Sequence, residues 1–243
     1  MPTPARHHLF YAPPGSVSGG RICFPPDESL HMVASLRLEA GEVISVTDGA
    51  GKLYEAEIER ADREGTLAGV TRVREIAPPG VRIRLYQGMI RPQRMDLVVE
   101  KCVELGVNSI VPVFTQRAVG RDAGARLARW KKIALEAMKQ SLRVYLPEIR
   151  PPAPLDRILD EVNGLDRVLV AHEGEAARAL EAADVAIGKG NIGLFIGPEG
   201  GFSETEIGEL TERGAKVFGM GAGRLKSETA AIAAIAVIGR FLL

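Results

Sequence analysis

Two glycine-rich segments near the C-terminus constrain this chain more than any other feature. The first is Ile196-Gly197-Pro198-Glu199-Gly200-Gly201-Phe202-Ser203; the second starts at Gly219-Met220-Gly221 and leads into Ser227-Glu228-Thr229-Ala230, which opens an alanine-rich run. Each follows a short apolar stretch that reads as a strand and precedes a stretch with helical spacing. Where a parallel sheet feeds helices in this way, the crevice beyond the strand ends is the usual ligand site. A dinucleotide-binding fold carries its glycine loop at the start of its domain, so the C-terminal placement here argues against one. Ser203-Glu204-Thr205-Glu206 has capping-box spacing, which starts a helix that Gly214 closes. No lysine follows the glycines, which excludes a phosphate-binding P-loop, and Glu199 would repel a phosphate. Two readings of the loop stay open: glycines that admit a close backbone approach to an uncharged or cationic ligand, or a tight strand-to-helix turn.

The rest of the chain divides at Ala77-Pro78-Pro79-Gly80. Before it the pattern is mostly β. Residues 42–46 and 53–58 alternate around the turn Asp48-Gly49-Ala50-Gly51, and 66–76 form a third strand candidate. Asp27 is placed to cap a short helix running to Leu36. A small β-barrel over residues 1–76 is the expected first domain. After the break, residues 77–243 alternate strand and helix. Strands are expected at 81–86, 109–114, 168–171, 192–196 and 215–218, and their apolar character with little alternation suits a parallel sheet covered on both faces. Pro92 suits a first helical position, Met95, Val98, Val99, Cys102 and Leu105 share a face, and Gly106 ends that helix. A second amphipathic helix turns Leu127, Trp130, Ile133, Ala134, Ala137 and Ser141 inward, with Arg129, Lys132, Lys139 and Arg143 on its other side.

Lysine plus arginine equals aspartate plus glutamate in this chain, 31 each, which at first disfavours a nucleic-acid partner. The distribution is uneven. Residues 76–153 hold 14 basic and 6 acidic side chains, net +8, against net −3 before them and net −5 after them. Phosphate attraction is local under salt screening, so a concentrated patch counts for more than the sum. A solvated basic face remains the other reading. The apolar run 230–239 is too short to span a bilayer, and Met1-Pro2-Thr3-Pro4-Ala5-Arg6 has no signal-peptide core, so a cytoplasmic protein without a membrane partner is expected. Cys23 and Cys102 lie in apolar segments and read as buried reduced thiols; with four scattered histidines, no metal site is expected.

Taken together, the two glycine-loop motifs resemble the SPOUT class of methyltransferases and, more narrowly, the ribosomal RNA small subunit methyltransferase E family. The resemblance runs along the whole chain. It includes Arg94-Met95-Asp96, Lys101, Glu104-Leu105-Gly106-Val107, Pro112, Arg117, residues 130–134, Gln140-Ser141, Arg143 and Pro147-Glu148-Ile149. Further forward it includes His31, Leu36-Arg37, Gly41 and Asp48-Gly49. It implies an α/β fold: a small PUA-like β-barrel domain that binds RNA, then a SPOUT-type parallel sheet whose C-terminal segment forms a trefoil knot, a feature otherwise almost absent from proteins. It also implies a homodimer that methylates uridine N3 in 16S rRNA, using S-adenosylmethionine, with small-subunit rRNA or the assembled small ribosomal subunit as partner. The family pattern has an arginine two residues after the glycine matching Gly221 and another before the Ser/Thr-Glu-Thr-Ala string. Here Gly223 and Lys226 stand at those positions, with Arg224 one place after the first, and His8 stands where a family arginine is common.

The resemblance assigns cofactor contacts to three loops: His172 in the first, Ile196, Gly197, Pro198, Gly200 and Gly201 in the second, and Met220, Gly221, Leu225, Ser227, Thr229 and Ala230 in the third. Methyl transfer from a sulfonium is an in-line displacement that needs mainly positioning. Uridine N3 must also lose a proton, and a cation near the uracil carbonyls would stabilise the anion. Arg94, Arg117 and Arg224 are the candidates. Glu228 either accepts the proton, holds an arginine, or simply favours its helix N-terminus; His172 is either a ligand contact or a loop-packing residue. RNA contacts are expected from Arg6, His7, Arg37, Arg91, Arg129, Lys132 and Arg143, with solvated surface the alternative for His7, His8 and Arg37. Two rival functions remain: a SPOUT enzyme acting on another base or on ribose 2′-oxygen, and a non-catalytic RNA-binding ribosome-assembly factor.

Overall fold

The computed structural model describes residues 8–118, 124–173, 178–221 and 223–242. The chain forms two compact units, 1–78 with 138–146, and 79–137 with 147–243.

The first unit is a six-stranded sheet. Its strands are β1 (Leu9–Tyr11), β2 (Val17–Ser18), β3 (Arg21–Cys23), β4 (Val43–Thr47), β5 (Lys52–Arg60) and β6 (Leu67–Glu75). They lie in the order β1-β4-β5-β6-β3-β2, antiparallel except for β1 beside β4. Alternation puts Ile44, Val46, Tyr54, Ala56, Ile58 and Ala68 on one face, where they bury Phe10, Ile22, Phe24 and Met32. Asp48 makes the β4–β5 turn: its Oδ1 accepts from the N–H groups of Ala50 and Lys52 at 2.8 and 3.0 Å. Asp27 is not a cap. Pro25 holds that position, Pro26 opens helix α1 (Pro26–Leu30), and the chain then widens into a π-type turn over His31–Ser35 instead of running as one α-helix to Leu36.

Residues 138–146 belong to this unit although they lie far along the chain. The Gly51 N–H donates to the Val144 carbonyl, the Leu146 N–H to the Gly49 carbonyl, and the Tyr145 hydroxyl to the Ile76 carbonyl at 2.6 Å. Lys139, expected on a solvated basic face, is instead buried with Glu28, Nζ to Oε2 2.8 Å, each side chain about 10% exposed. The second oxygen of Glu28 accepts from the Tyr11 N–H at 3.0 Å. A buried charge persists only when paired and hydrogen-bonded, and both conditions are met here.

The second unit is a parallel sheet. Its main strands are β7 (Val81–Gly88), β8 (Ser109–Phe114), β11 (Arg167–Ala171), β12 (Gly190–Ile196) and β13 (Lys216–Phe218), with the two-residue β9 (Glu148–Ile149) and β10 (Ala153–Pro154) both paired to β8. The order is β10-β8-β7-β12-β11-β13. Helices α2 (Pro92–Glu104), α3 (Gly124–Gln140), α4 (Leu155–Val162), α5 (Ala182–Val185), α6 (Glu204–Glu212) and α7 (Ser227–Leu242) complete it. Pro92 opens α2, and Gly106, at φ +95°, turns the chain out of it. The capping box of α6 is formed: Ser203 Oγ accepts from the Glu206 N–H, and Glu206 Oε2 from the Ser203 N–H. Tyr86 and Phe195 stack across the central strands with ring centroids 4.3 Å apart. Leu155, Ile158, Leu159 and Val162 bury one side of α4 against Val111, Val113 and Phe195; each such side chain contributes roughly 1.5–3 kcal/mol. Cys102 is buried in α2 as expected, and burial pushes its thiol pKa up to about 12; Cys23 is not buried, because alternation along β3 turns Ile22 inward and Cys23 outward.

From β7 the chain crosses to β8, and from β12 it crosses in the other direction to β13. A crevice opens where neighbouring parallel strands part company in this way, at the C-terminal ends of β7 and β12. One rim of that region is anchored by Asp184. Its buried carboxylate pairs with the Arg178 guanidinium, accepts from the Glu181 N–H at 3.0 Å, and lies 3.4 Å from Lys216 Nζ on β13. The Arg178 carbonyl in turn accepts from the Gly219 N–H at 2.8 Å. The Arg178 guanidinium, with help from the Glu181 N–H and Lys216, holds the Asp184 carboxyl well below the usual carboxylate range. A depressed folded-state pKa means that the stabilisation is present above the unfolded value, near 3.9, and is lost as pH falls through the folded value. Asp184→Asn is therefore expected to destabilise the protein by about 2 kcal/mol at neutral pH, with the gap to the parent closing as pH drops below about 4. Urea unfolding at pH 7 and pH 3 checks this, and a pH-independent gap would contradict it.

Candidate functional site

The crevice is a cleft of about 610 Å³ lined by three loops at the strand ends. After β11 come Ala171, His172 and Glu173; after β12, the run from Ile196 to Phe202; after β13, Gly219, Met220, Gly221 and then Gly223 to Ser227, with Ala230 from α7. Close packing explains the glycines that shape the middle loop. A Cβ on Gly88, at the end of β7, would lie 2.6 Å from the backbone N of Pro198, and one on Gly197 would lie 3.0 Å from Gly201 Cα. Gly201 and Gly221 are different: their φ values of +69° and +104° suit glycine, and a Cβ there would meet nothing within 4 Å. These two leave open space beside backbone groups on the cleft wall, the condition for main-chain contact with a ligand.

All but one of the residues that the sequence assigns to the cofactor line the cleft: His172, Ile196, Gly197, Pro198, Gly200, Gly201, Met220, Gly221, Leu225, Ser227 and Ala230. Thr229 does not. It is exposed on α7, because Ser227 and Ala230 are three residues apart on one helix face and the residue between them and one short of Ala230 points away. Phe202, Glu173 and Lys226 also line the cleft. Phe202 stands inside the first glycine motif but is not among the assigned contacts; it is 2% exposed and packs into the core of the second unit.

The three candidate arginines differ in what they hold. Arg94 on α2 sits between two carboxylates, with Nη1 3.4 Å from Glu199 Oε1 and Nε 3.6 Å from Glu228 Oε1. Glu228 is buried in the first turn of α7, off the cleft wall, and holds this arginine. The second oxygens of Glu199 and Glu228 are buried without a hydrogen-bond partner among the described residues. Arg117 closes over the glycine loop: Nη1 donates to the Gly200 carbonyl at 2.9 Å and the Phe202 carbonyl at 3.3 Å, and a Cβ on Gly200 would lie 3.1 Å from the Arg117 Cβ. It acts as a clasp on the loop. Arg224 pairs with Glu173 at 2.9 Å, both largely exposed at the rim.

The residues expected on RNA are spread over the surface. Arg6 and His7 lie outside the described residues. Arg37 is exposed on the first unit at φ +56°, and Arg143 is exposed beyond the end of α3, so it does not share that helix's face. Arg91 and Lys132 are exposed. Arg129 is exposed but bonded to Asp96 of α2, Nη2 to Oδ2 2.8 Å. Among the described residues no three His, Cys, Asp or Glu side chains group as a metal site, and no helix is long and apolar enough to cross a membrane.

Residues 77–239 match the RNA methyltransferase domain family, and residues 24–68 match the RNA methyltransferase PUA domain. The ribosomal RNA small subunit methyltransferase E of Mycobacterium bovis is 30% identical over 239 residues, covering 95% of this chain and 90% of that protein. A methyltransferase from Legionella pneumophila, solved with bound S-adenosylmethionine, superposes with a TM-score of 0.87 at 30% identity, over 97% of this chain and 98% of its own. The ribosomal RNA small subunit methyltransferase E from Neisseria gonorrhoeae, also bound to S-adenosylmethionine, gives 0.85 at 29% identity with the same coverage. The first unit is thus PUA-like and the second carries the methyltransferase fold, and the chain belongs to the ribosomal RNA small subunit methyltransferase E family.

Proposed function

We propose that this chain transfers a methyl group from S-adenosylmethionine to N3 of a uridine in small-subunit ribosomal RNA. The observation that carries the reading is the three-loop cleft, walled by backbone at Gly201 and Gly221 and by Ile196, Met220 and Leu225, in a chain whose relatives of the same fold hold S-adenosylmethionine. Apolar side chains suit an adenine ring, and main-chain groups suit its edge. His172, Ile196, Gly197, Pro198, Gly200, Gly201, Met220, Gly221, Leu225, Ser227 and Ala230 would hold the cofactor. When bound, it supplies a methyl group on a sulfonium, a good leaving group.

The chain's own part is orientation and charge. Arg94 is aimed by Glu199 and Glu228 and keeps N–H groups to donate to a uracil carbonyl, which stabilises the anion left when N3 loses its proton. Glu228, already committed to Arg94, is a positioning residue in this reading. The exposed Arg37, Arg91, Lys132 and Arg143 supply phosphate contacts. Arg129 can join them at small cost, because an exposed ion pair such as that with Asp96 is weak. The segment from Gly219 through α7, which lies against β7 and β12 and hydrogen-bonds to Gly197 through Ser227, is proposed as the knotted part of the fold.

Three measurements test this. Calorimetry should show one S-adenosylmethionine site per chain, and Gly200→Val, which forces Arg117 off the loop carbonyls, should weaken it at least about tenfold; unchanged affinity would remove the pocket as drawn. Tritiated methyl transfer to undermethylated small subunits, followed by nucleoside analysis, should give N3-methyluridine. Recovery of a 2′-O-methylated nucleoside, or of none, would point to the rival enzymes or to an assembly factor. In the same assay Arg94→Ala should lower single-turnover rate roughly 10²–10³-fold with cofactor affinity intact, and Glu228→Gln should lower it less.

We also propose a homodimer through α2 and α7. Helix α7 buries Ala231, Ala234, Ile235 and Ile238 within its own subunit but leaves Val237 and Phe241 exposed, one turn apart, and α2, which packs against it, leaves Leu97 exposed. A second copy would cover them. Light scattering at micromolar concentration should give twice the chain mass, and Phe241→Glu should give the monomer.

A further inference from the structure

Helix α7 and the glycine loop are joined through one buried side chain that no motif singles out. Gln87 lies at the end of β7, is fully buried, and does not line the cleft. Its Nε2 donates to its neighbour's carbonyl, Gly88 O, at 3.0 Å and to Ser227 Oγ at 2.9 Å. Ser227 Oγ in turn lies 2.5 Å from the Gly197 carbonyl. The direction of this chain is forced. A carbonyl only accepts, so the group on Gly88 O must be the amide nitrogen; it then donates to Ser227, whose own hydrogen goes to Gly197. Both Ser227 and Gly197 line the cleft, on two different loops.

The arrangement has a cost that packing alone would avoid. The amide oxygen of Gln87 is buried with no hydrogen-bond partner among the described residues. An unpaired buried carbonyl oxygen destabilises, and an apolar side chain of similar size would not carry that penalty. The neighbours Leu85 and Tyr86 on the same strand, and Leu194 and Phe195 on the strand beside it, show that apolar residues suit this sheet.

We propose that Gln87 is a positioning residue for the cofactor cleft: by donating to Ser227 it obliges the serine hydroxyl to hold the Gly197 carbonyl, and so fixes the glycine loop against the first turn of α7. The proposal rests on the reading that the cleft takes S-adenosylmethionine. It sets the spacing of two cleft walls without touching the ligand.

Gln87→Glu keeps the shape and changes the sense of the hydrogen bond. An ionised carboxylate only accepts, so it draws the Ser227 hydrogen to itself and leaves Gly197 O without a donor; a protonated one has a single hydrogen, which can go to Ser227 but not also to Gly88 O as the amide's second one does. Burial raises a carboxyl pKa, which brings this change into a usable range. The probe is S-adenosylhomocysteine, measured by calorimetry from pH 5.5 to 8.5 as the ratio of variant to parent affinity at each pH. The titratable or charged groups nearby are Lys226 and Glu228 on either side of Ser227, with Arg94, Arg117, His172, Glu173, Glu199 and Arg224 around the cleft. They are common to both proteins and cancel in the ratio. The ratio should be near one at low pH and fall about tenfold at high pH. Gln87→Leu should bind about tenfold more weakly while its thermal midpoint stays level or rises, which a purely structural glutamine would not do. Ser227→Ala, a mild truncation, should show a similar loss, and Gln87→Leu with Ser227→Ala together should lose no more than either alone. A pH-independent ratio near one, or additive losses in the double variant, would overturn the proposal with the cofactor site intact. Absence of binding by the parent would remove the site and the proposal together.

Discussion

The fit of Gly88 beneath Pro198 is the contact on which the rest of the site depends. A single Cβ at residue 88 would overlap the proline nitrogen, so the end of β7 and the loop after β12 lie in direct backbone contact. That contact ties the neighbouring strands β7 and β12 together at the point where their onward connections diverge. Everything that lines the cleft is referred to it. The loop can close back on itself, with Gly197 against Gly201, because its base is held there. Arg117 clasps it from one side, and Ser227 ties it to α7 from the other. Glycine is needed here for room, not for backbone freedom, since neither Gly88 nor Gly197 has a positive φ.

How much of this could be read from the sequence depends on the range of the interaction. Features decided within a few residues were legible. Pro92 opens α2 because its missing N–H costs nothing in the first turn. Gly106 ends it at a positive φ. Ser203 and Glu206 cap α6 with each other. Five strands of the parallel sheet were legible because burial on both faces leaves an unbroken apolar run; the two-residue β9 and β10 were not. Strands β1, β2 and β3 of the first unit were not, because at two or three residues each they hold too little pattern. The membership of 138–146 in that unit was equally hidden, for its bonds run to Gly49, Gly51 and Ile76, far off in sequence.

The site shows the same division. The loops are contiguous in sequence, so the residues that the resemblance assigns to the cofactor nearly all line one cleft; Thr229 does not, because a helical phase separates it from Ser227 and Ala230. The roles of the polar residues did not come out, since a role is set by a partner. Arg94 and Arg117 look alike in sequence. One lies between two carboxylates and the other spends its donors on loop carbonyls. Gln87 carried no signal because its side-chain partner, Ser227, lies 140 residues away.

The charge pattern changes meaning in the same way. Read along the chain, an excess of base in 76–153 faces an excess of acid on both sides. In the fold much of that excess is a set of ion pairs whose two halves lie in different segments. Lys139 is matched by Glu28, Arg150 by Glu161, and Arg94 by Glu199 and Glu228. The charge that draws a phosphate backbone is what remains exposed after these pairs are made, including Arg91, Lys131 and Lys132. Counterion release counts phosphates neutralised by cations on the surface, not the lysines and arginines in a segment. In the function proposed, the salt dependence of RNA binding is set by that smaller exposed group, while Arg94 stays between its two carboxylates beside the cleft.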